Sequence, residues 1–187
     1  MLKANPPINE NKTFNNFSIE EKTPIIKINL RGNSNNKEFT SKIGKILGLI
    51  LPVDMGSIVS KENISIIKTG PNEWLLISIN IPQERNNDDG LENILFESIS
   101  RSNLGAVTNV TDQFTIFSLK GSNIFEILSK SSPFDFDTLS DNCSAQTLLN
   151  NIDITIIKKD IENVDLFVRR SFAKHLWLWI NDSARFL

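Results

Sequence analysis

The sequence predicts an α+β fold made of two ferredoxin-like β-α-β-β-α units. Three observations lead there. Short runs rich in Ile, Leu, Val and Phe alternate with segments whose apolar residues recur at helical spacing, in the order β-α-β-β-α-β. Much of that order returns in a second pass, offset by roughly 80 to 90 residues. The chain has 187 residues and is 40% hydrophobic, enough for one good-sized core or two small lobes sharing one. A structural pseudo-repeat and the ordinary alternation of an α+β chain both account for the recurrence.

The elements follow in order. Residues 1–22 are polar and carry Pro6-Pro7, so they are expected to form a flexible N-terminal arm. Its Ile8, Phe14, Phe17 and Ile19 are available to dock on a neighbour. A first α+β lobe is expected at 23–111. It opens with a strand at Pro24-Ile-Ile-Lys-Ile-Asn-Leu30, ended by the Gly32-Asn-Ser-Asn segment. Phe39, Ile43, Ile46, Leu47 and Ile50 then lie at helical spacing, and Leu51-Pro52 is expected to stop that helix. Ile64-Ser-Ile-Ile-Lys68 and Trp74-Leu-Leu-Ile-Ser-Ile79 read as two strands of a hairpin across Thr69-Gly-Pro-Asn-Glu73. Arg85-Asn-Asn-Asp-Asp-Gly90 is a polar loop, Leu91, Ile94, Leu95 and Ile99 form the stripe of a second helix, and Ala106-Val-Thr-Asn-Val-Thr111 returns as a strand.

The second lobe, 112–187, is expected to share one core with the first. Gln113-Phe-Thr-Ile-Phe-Ser-Leu119 is a strand with Gly121-Ser122 as turn and cap, and Ile124, Phe125, Ile127 and Leu128 lie on a short helix. Ile152–Ile157 and Val164–Val168 form a second hairpin, and Ser171 is placed to cap the last helix.

Composition narrows the function. A net charge of −2 gives no reason to expect nucleic acid or an anionic membrane surface as partner. No apolar run reaches the roughly 20 residues that span a bilayer. The N-terminus shows no apolar signal-peptide core. The single cysteine, Cys143, has no internal disulfide partner. A cytoplasmic protein is the simplest expectation.

Groups able to do chemistry are few. His175 is the only histidine, so any Ser-His-Asp, Cys-His or histidine-metal arrangement must use it. It lies on the edge of an aromatic helix face, where a structural role is the plainer reading. Cys143 reads as an incidental thiol. Neither a G-x-G-x-x-G turn nor a phosphate-binding G-x-x-x-x-G-K-[ST] loop occurs. Gly44 and Gly48, four apart, suit close helix packing. Asp135 and Asp137 flank Phe136 as a metal pair or, more simply, a capped turn. Lys158-Lys159 and Arg169-Arg170 suit an acidic partner or a solvated rim.

The last helix stands apart. Phe172, Ala173, Leu176, Trp177, Trp179, Ile180, Ala184 and Phe186 cover an arc of roughly 180°, wider than the ~100° stripe a surface helix needs for its own core. Leu178 sits outside it, among Lys174, Asn181, Asp182 and Arg185. Either the helix is sunk deeply in its own core or part of it faces another chain, where tryptophan serves as an anchor. Trp74, Phe172, Trp177, Leu178 and Trp179 are the candidate core-or-interface residues.

Several stretches occur in a recognisable order: Leu47-Gly-Leu-Ile-Leu-Pro52, Gly70-Pro-Asn-Glu-Trp-Leu-Leu76, Val107-Thr-Asn-Val-Thr-Asp-Gln113, Leu119-Lys-Gly121, Pro133-Phe-Asp-Phe-Asp137, Val168-Arg-Arg-Ser-Phe-Ala173 and Leu176-Trp-Leu-Trp179. In this order they resemble the gamma subunit of heterotetrameric sarcosine oxidase, over about residues 24–186. Asn72 stands where that pattern usually has aspartate, a change a turn tolerates.

The resemblance implies a fold like that of the aminomethyltransferase (glycine-cleavage T-protein) and related folate-binding proteins. It also implies an accessory, non-catalytic role beside alpha, beta and delta subunits, chiefly alpha, in a complex that oxidatively demethylates sarcosine to glycine. FAD, FMN, NAD, tetrahydrofolate and zinc are expected on those partner subunits and none in this chain. Where T-protein-like folate enzymes carry a glycine-containing turn followed by acidic residues, Leu148-Leu-Asn-Asn-Ile-Asp-Ile154 has no glycine and keeps only Asp153. The alternatives are a stand-alone folate-binding protein or one-carbon transferase of the same fold, and a homo-oligomeric scaffold with an unrelated task.

Overall fold

The computed structural model describes residues 5–22, 25–79 and 90–186. The chain divides into two units: residues 25–111 form one, and residues 1–24 together with 112–187 form the other. The first is therefore an insertion within the second, which we call the composite unit.

Residues 11–21 of the expected arm form strands. Asn11–Phe14 (β1) and Phe17–Glu21 (β2) form an antiparallel hairpin, and Phe17 and Ile19 are buried in the core of the composite unit. Polar composition favours a flexible segment here, but the alternation in Phe17-Ser-Ile-Glu20 presents two apolar side chains on one strand face.

The inserted unit runs β3 (Ile26–Gly32), α1 (Lys37–Leu47), β4 (Ile58–Lys61), β5 (Ile64–Gly70), β6 (Glu73–Ser78), α2 (Leu91–Leu95) and β7 (Gly105–Asn109). A π-helical turn, Phe96–Ser100, extends α2. Within the polar loop expected at 85–90, residues 85–89 lie outside the described residues. The sheet order is β4-β5-β6-β3-β7, antiparallel throughout. Apart from the edge strand β4, this is a ferredoxin-like arrangement. Phe39, Ile43 and Leu47 of α1 pack with Leu95 and Ile99 on Ile28, Leu30, Trp74, Leu76 and Val107 of the sheet.

Helix α1 is well signalled at both ends. The Asn36 side chain accepts from the backbone N–H groups of Glu38 and Phe39. Gly48, at φ 65°, donates its N–H to the Gly44 carbonyl, a left-handed cap that glycine adopts without steric cost. The helix thus ends before Leu51-Pro52, and Gly48 terminates it instead of serving as a packing position.

The composite unit continues with β8 (Phe114–Lys120), α3 (Ile124–Ser129), β9 (Cys143–Leu149), β10 (Ile152–Asp160), β11 (Asn163–Arg169) and α4 (Ala173–Ala184). Its sheet order is β1-β2-β8-β11-β10-β9, again antiparallel. Here β8, α3, β10, β11 and α4 repeat the β-α-β-β-α pass. The place beside the first strand that β7 fills in the inserted unit is filled by β2, brought from the start of the chain. Pairing with β2 satisfies the backbone groups along the otherwise open edge of β8.

The buried apolar residues gather in two clusters, one within each unit, where the sequence suggests a shared core. Ser171 is not the cap of the last helix. Arg170–Phe172 form a 3-10 turn and Phe172 precedes α4 with no side-chain cap.

Candidate functional site

The Gly70-Pro-Asn-Glu-Trp motif is the tight turn between β5 and β6, with Pro71 and Asn72 outside both strands. Its polar groups are spent on the unit itself. The Glu73 carboxylate accepts from Asn29 Nδ2 at 2.5 Å and from Arg31 at 3.1 Å. Asn72 Oδ1 accepts from the Ser34 N–H at 3.1 Å, and its carbonyl accepts from the Gly32 N–H. Around the turn lies an open depression lined by Arg31, Gly32, Asn33, Pro71, Asn72 and Glu73.

Trp74 is fully buried, its ring tilted against Phe39 with 5.7 Å between centroids, and its indole N–H donates to the Pro52 carbonyl at 2.9 Å. The buried Lys68 ammonium sits 3.8 Å from the Trp74 ring centroid and donates to the Pro71 carbonyl at 2.6 Å. Burial holds its pKa below the ordinary lysine value. Trp74 therefore ties two motifs together: the hairpin that carries it and the segment after α1.

On α4, Ala173, Leu176, Trp177, Ile180 and Ala184 are buried in the core of the composite unit, and Trp177 lies 5.4 Å from Phe117. Trp179 is half-buried against the same core. Phe172 and Leu178 are exposed. The five candidates thus divide: Trp74 and Trp177 are core residues of their units, Trp179 is intermediate, and Phe172 and Leu178 face solvent.

The candidates for chemistry do not converge. His175 is exposed and its Nε2 lies 2.9 Å from Asn150 Nδ2. Cys143, on β9, is a free thiol. The Asp135 carboxylate accepts from the Asp137 N–H at 3.1 Å, the capped turn expected as the simpler reading. Asn150 and Asn151, both with positive φ, make the turn between β9 and β10 in place of a glycine. Asp153 projects exposed from β10, on the opposite face from the core residues Ile152 and Ile154. Among the described residues, no group of three or more His, Cys, Asp or Glu is placed to hold a metal ion. No helix among them is long and apolar enough to cross a membrane.

Two features escaped the sequence reading. Asp165 Oδ2 accepts from Lys22 at 2.7 Å and from Lys159 at 2.8 Å, tying the end of β2 to the distant β10–β11 hairpin. Burial outweighs Asp165 and lowers the Lys22 pKa; for Lys159 burial also pulls down, but Asp165, Lys22 and Asp160 together raise it. Nothing in the local sequence announces this pairing, because it depends on β2 reaching the composite sheet. The second feature is the segment after α1, where Ile50, Val53 and Met55 are exposed. Its signal was an apolar run continuing past the glycine that ends the helix.

The fold defines a class: an α+β protein whose two units each lay a β-α-β-β-α pass on an antiparallel sheet. The model of the sarcosine oxidase gamma subunit family matches residues 31–185. The chain belongs to that family. A heterotetrameric sarcosine oxidase from Corynebacterium sp. U-96, in complex with pyrrole 2-carboxylate, matches in structure with a TM-score of 0.79 at 20% identity, covering 90% of this chain and 84% of that one. The glycine cleavage system aminomethyltransferase T from Bartonella henselae matches with a TM-score of 0.63 at 10% identity, covering 88% of this chain and 45% of that one. At such identities the two structures speak for the fold. No curated protein matches the sequence significantly.

Proposed function

We propose that this chain is the accessory, non-catalytic gamma subunit of a heterotetrameric sarcosine oxidase, the complex that oxidatively demethylates sarcosine to glycine. The observation that carries this is the family match, which runs through both units from residue 31 to 185. In this reading FAD, FMN, NAD, tetrahydrofolate and zinc sit on its partners and this chain contributes contacts. Alpha, beta and delta subunits are the expected partners, chiefly alpha, in the cytoplasm. Of the five candidates, Phe172, Leu178 and the free side of Trp179 are available to such a partner. Trp74 and Trp177 act by holding the surfaces in place.

The test is a native pull-down of the tagged chain from its source, with partner masses and a visible spectrum. The expected result is one copy each of four subunits, flavin absorbance, and peroxide release that depends on sarcosine. A colourless chain that comes down alone would overturn the proposal. Within the complex, Trp179→Ala weakens assembly more than it lowers the melting temperature of the isolated chain; the reverse ranking argues against a contact role for α4.

A further inference from the structure

The stretch Leu49-Ile-Leu-Pro-Val-Asp-Met-Gly56 sorts its side chains in two directions. Leu49, Leu51 and Pro52 are buried, whereas Ile50, Val53 and Met55 are 83%, 80% and 62% exposed. Three large apolar side chains in water within six residues are more than the scattered single exposures of an ordinary surface.

The backbone that carries them is held at several points. Gly48 is fixed by its N–H to the Gly44 carbonyl at 2.8 Å, and the Gly56 N–H donates to the Lys68 carbonyl at 3.0 Å. The Pro52 carbonyl is the acceptor for the buried Trp74 indole. The Ser57 hydroxyl and N–H both donate to the Asp54 carbonyl, at 2.5 and 3.1 Å. Leu49 and Leu51 anchor it in the core of the inserted unit. The loop is thus ordered before anything binds, which removes part of the entropy cost of association.

Charge says what fits against it. Asp54 is the only charged residue of the stretch, it is exposed, and no ion pair among the described residues includes it. An apolar knob carrying one exposed carboxylate complements an apolar groove with a basic rim. A second copy of this chain fits poorly: two such loops brought together would place Asp54 against Asp54.

We propose that Ile50, Val53 and Met55 form a preorganised docking knob for another subunit of the sarcosine oxidase complex, entering an apolar groove with a Lys or Arg at its rim opposite Asp54. This rests on the gamma-subunit reading above. It adds a surface that reading does not contain and gives the buried Trp74 a task, that of positioning the knob.

The experiment uses the full chain co-expressed with the alpha, beta and delta subunits, with complexes weighed by native mass spectrometry and affinity measured on the reassembled enzyme. The triple variant I50S/V53S/M55S is expected to keep the wild-type melting temperature as an isolated chain and to bind its partners at least about tenfold more weakly. Ile161→Ser, on the exposed turn between β10 and β11, is expected to bind as wild type. Asp54→Asn is expected to flatten the salt dependence of assembly. Wild-type affinity in the triple variant overturns the knob and leaves the gamma-subunit reading standing. An unaltered salt dependence in Asp54→Asn overturns the basic rim. A wild-type chain that joins no partner overturns both readings. A homodimer lost only in the triple variant overturns the choice of partner.

Discussion

Replacing Ile19 by alanine is the sharpest test of how the composite unit is built. Ile19 is 1% exposed, lies on β2 directly opposite Leu119 of β8, and belongs to the same core cluster as Leu166 and Trp177. Removing a fully buried isoleucine down to alanine costs about 2–5 kcal/mol, the spread reflecting how far the cavity collapses. For a chain of this length each kcal/mol lowers the melting temperature by about 2–4 °C, so the expected loss is about 4–20 °C. Urea unfolding followed by tryptophan fluorescence is suitable, since Trp177 sits in the affected core. Ile161→Ala is the matched control: at 67% exposure it should stay within about 0.5 kcal/mol of wild type. A solvated arm would make both substitutions alike. An Ile19→Ala protein within about 0.5 kcal/mol of wild type would refute the assignment of β2 to this sheet.

Two further outcomes follow from single contacts. Gly121 has φ 121°, and a Cβ there would collide with the Asn16 carbonyl oxygen at the turn between β1 and β2. Gly121→Ala is therefore expected to lose about 1–3 kcal/mol by thermal denaturation and to speed hydrogen exchange in β2; an unchanged melting temperature would contradict that close approach. Lys68 carries a pKa pushed below 10.5 by burial, so between its folded value and 10.5 the unfolded chain binds more protons than the folded one. Stability must then rise with pH through that window, relative to Lys68→Met, in urea titrations run from neutral pH to about 10.5. A slope of the opposite sign would show that Lys68 is not held in a destabilised charge state.

Much of the architecture was legible in the chain. The helix at Lys37–Leu47 announced itself through the spacing of Phe39, Ile43 and Leu47. The hairpins at Ile64–Ser78 and Ile152–Arg169 lay close to where β-rich runs and turn residues put them. Edge strands were harder. β4 and β9 carry mixed burial, because an edge strand has a neighbour on one side only, and their alternation is weak. The tryptophans showed that aromatic surfaces matter, but residue type alone did not divide the core anchors Trp74 and Trp177 from the exposed Phe172 and Leu178.

The amino-acid sequence by itself determined the α+β class, the two passes of β-α-β-β-α, the turn at Gly70-Pro-Asn-Glu-Trp and the family. These depend on local periodicity, turn chemistry and residues close together in the chain. Only the tertiary structure decided that β2 completes the sheet of the far end, that Asp165 draws in Lys22 and Lys159, and that a buried indole holds Pro52 while Ile50, Val53 and Met55 face outward. The reason is separation: β2 pairs with β8 at a sequence separation of about a hundred residues, and no window read along the sequence spans a contact made only when the sheet closes.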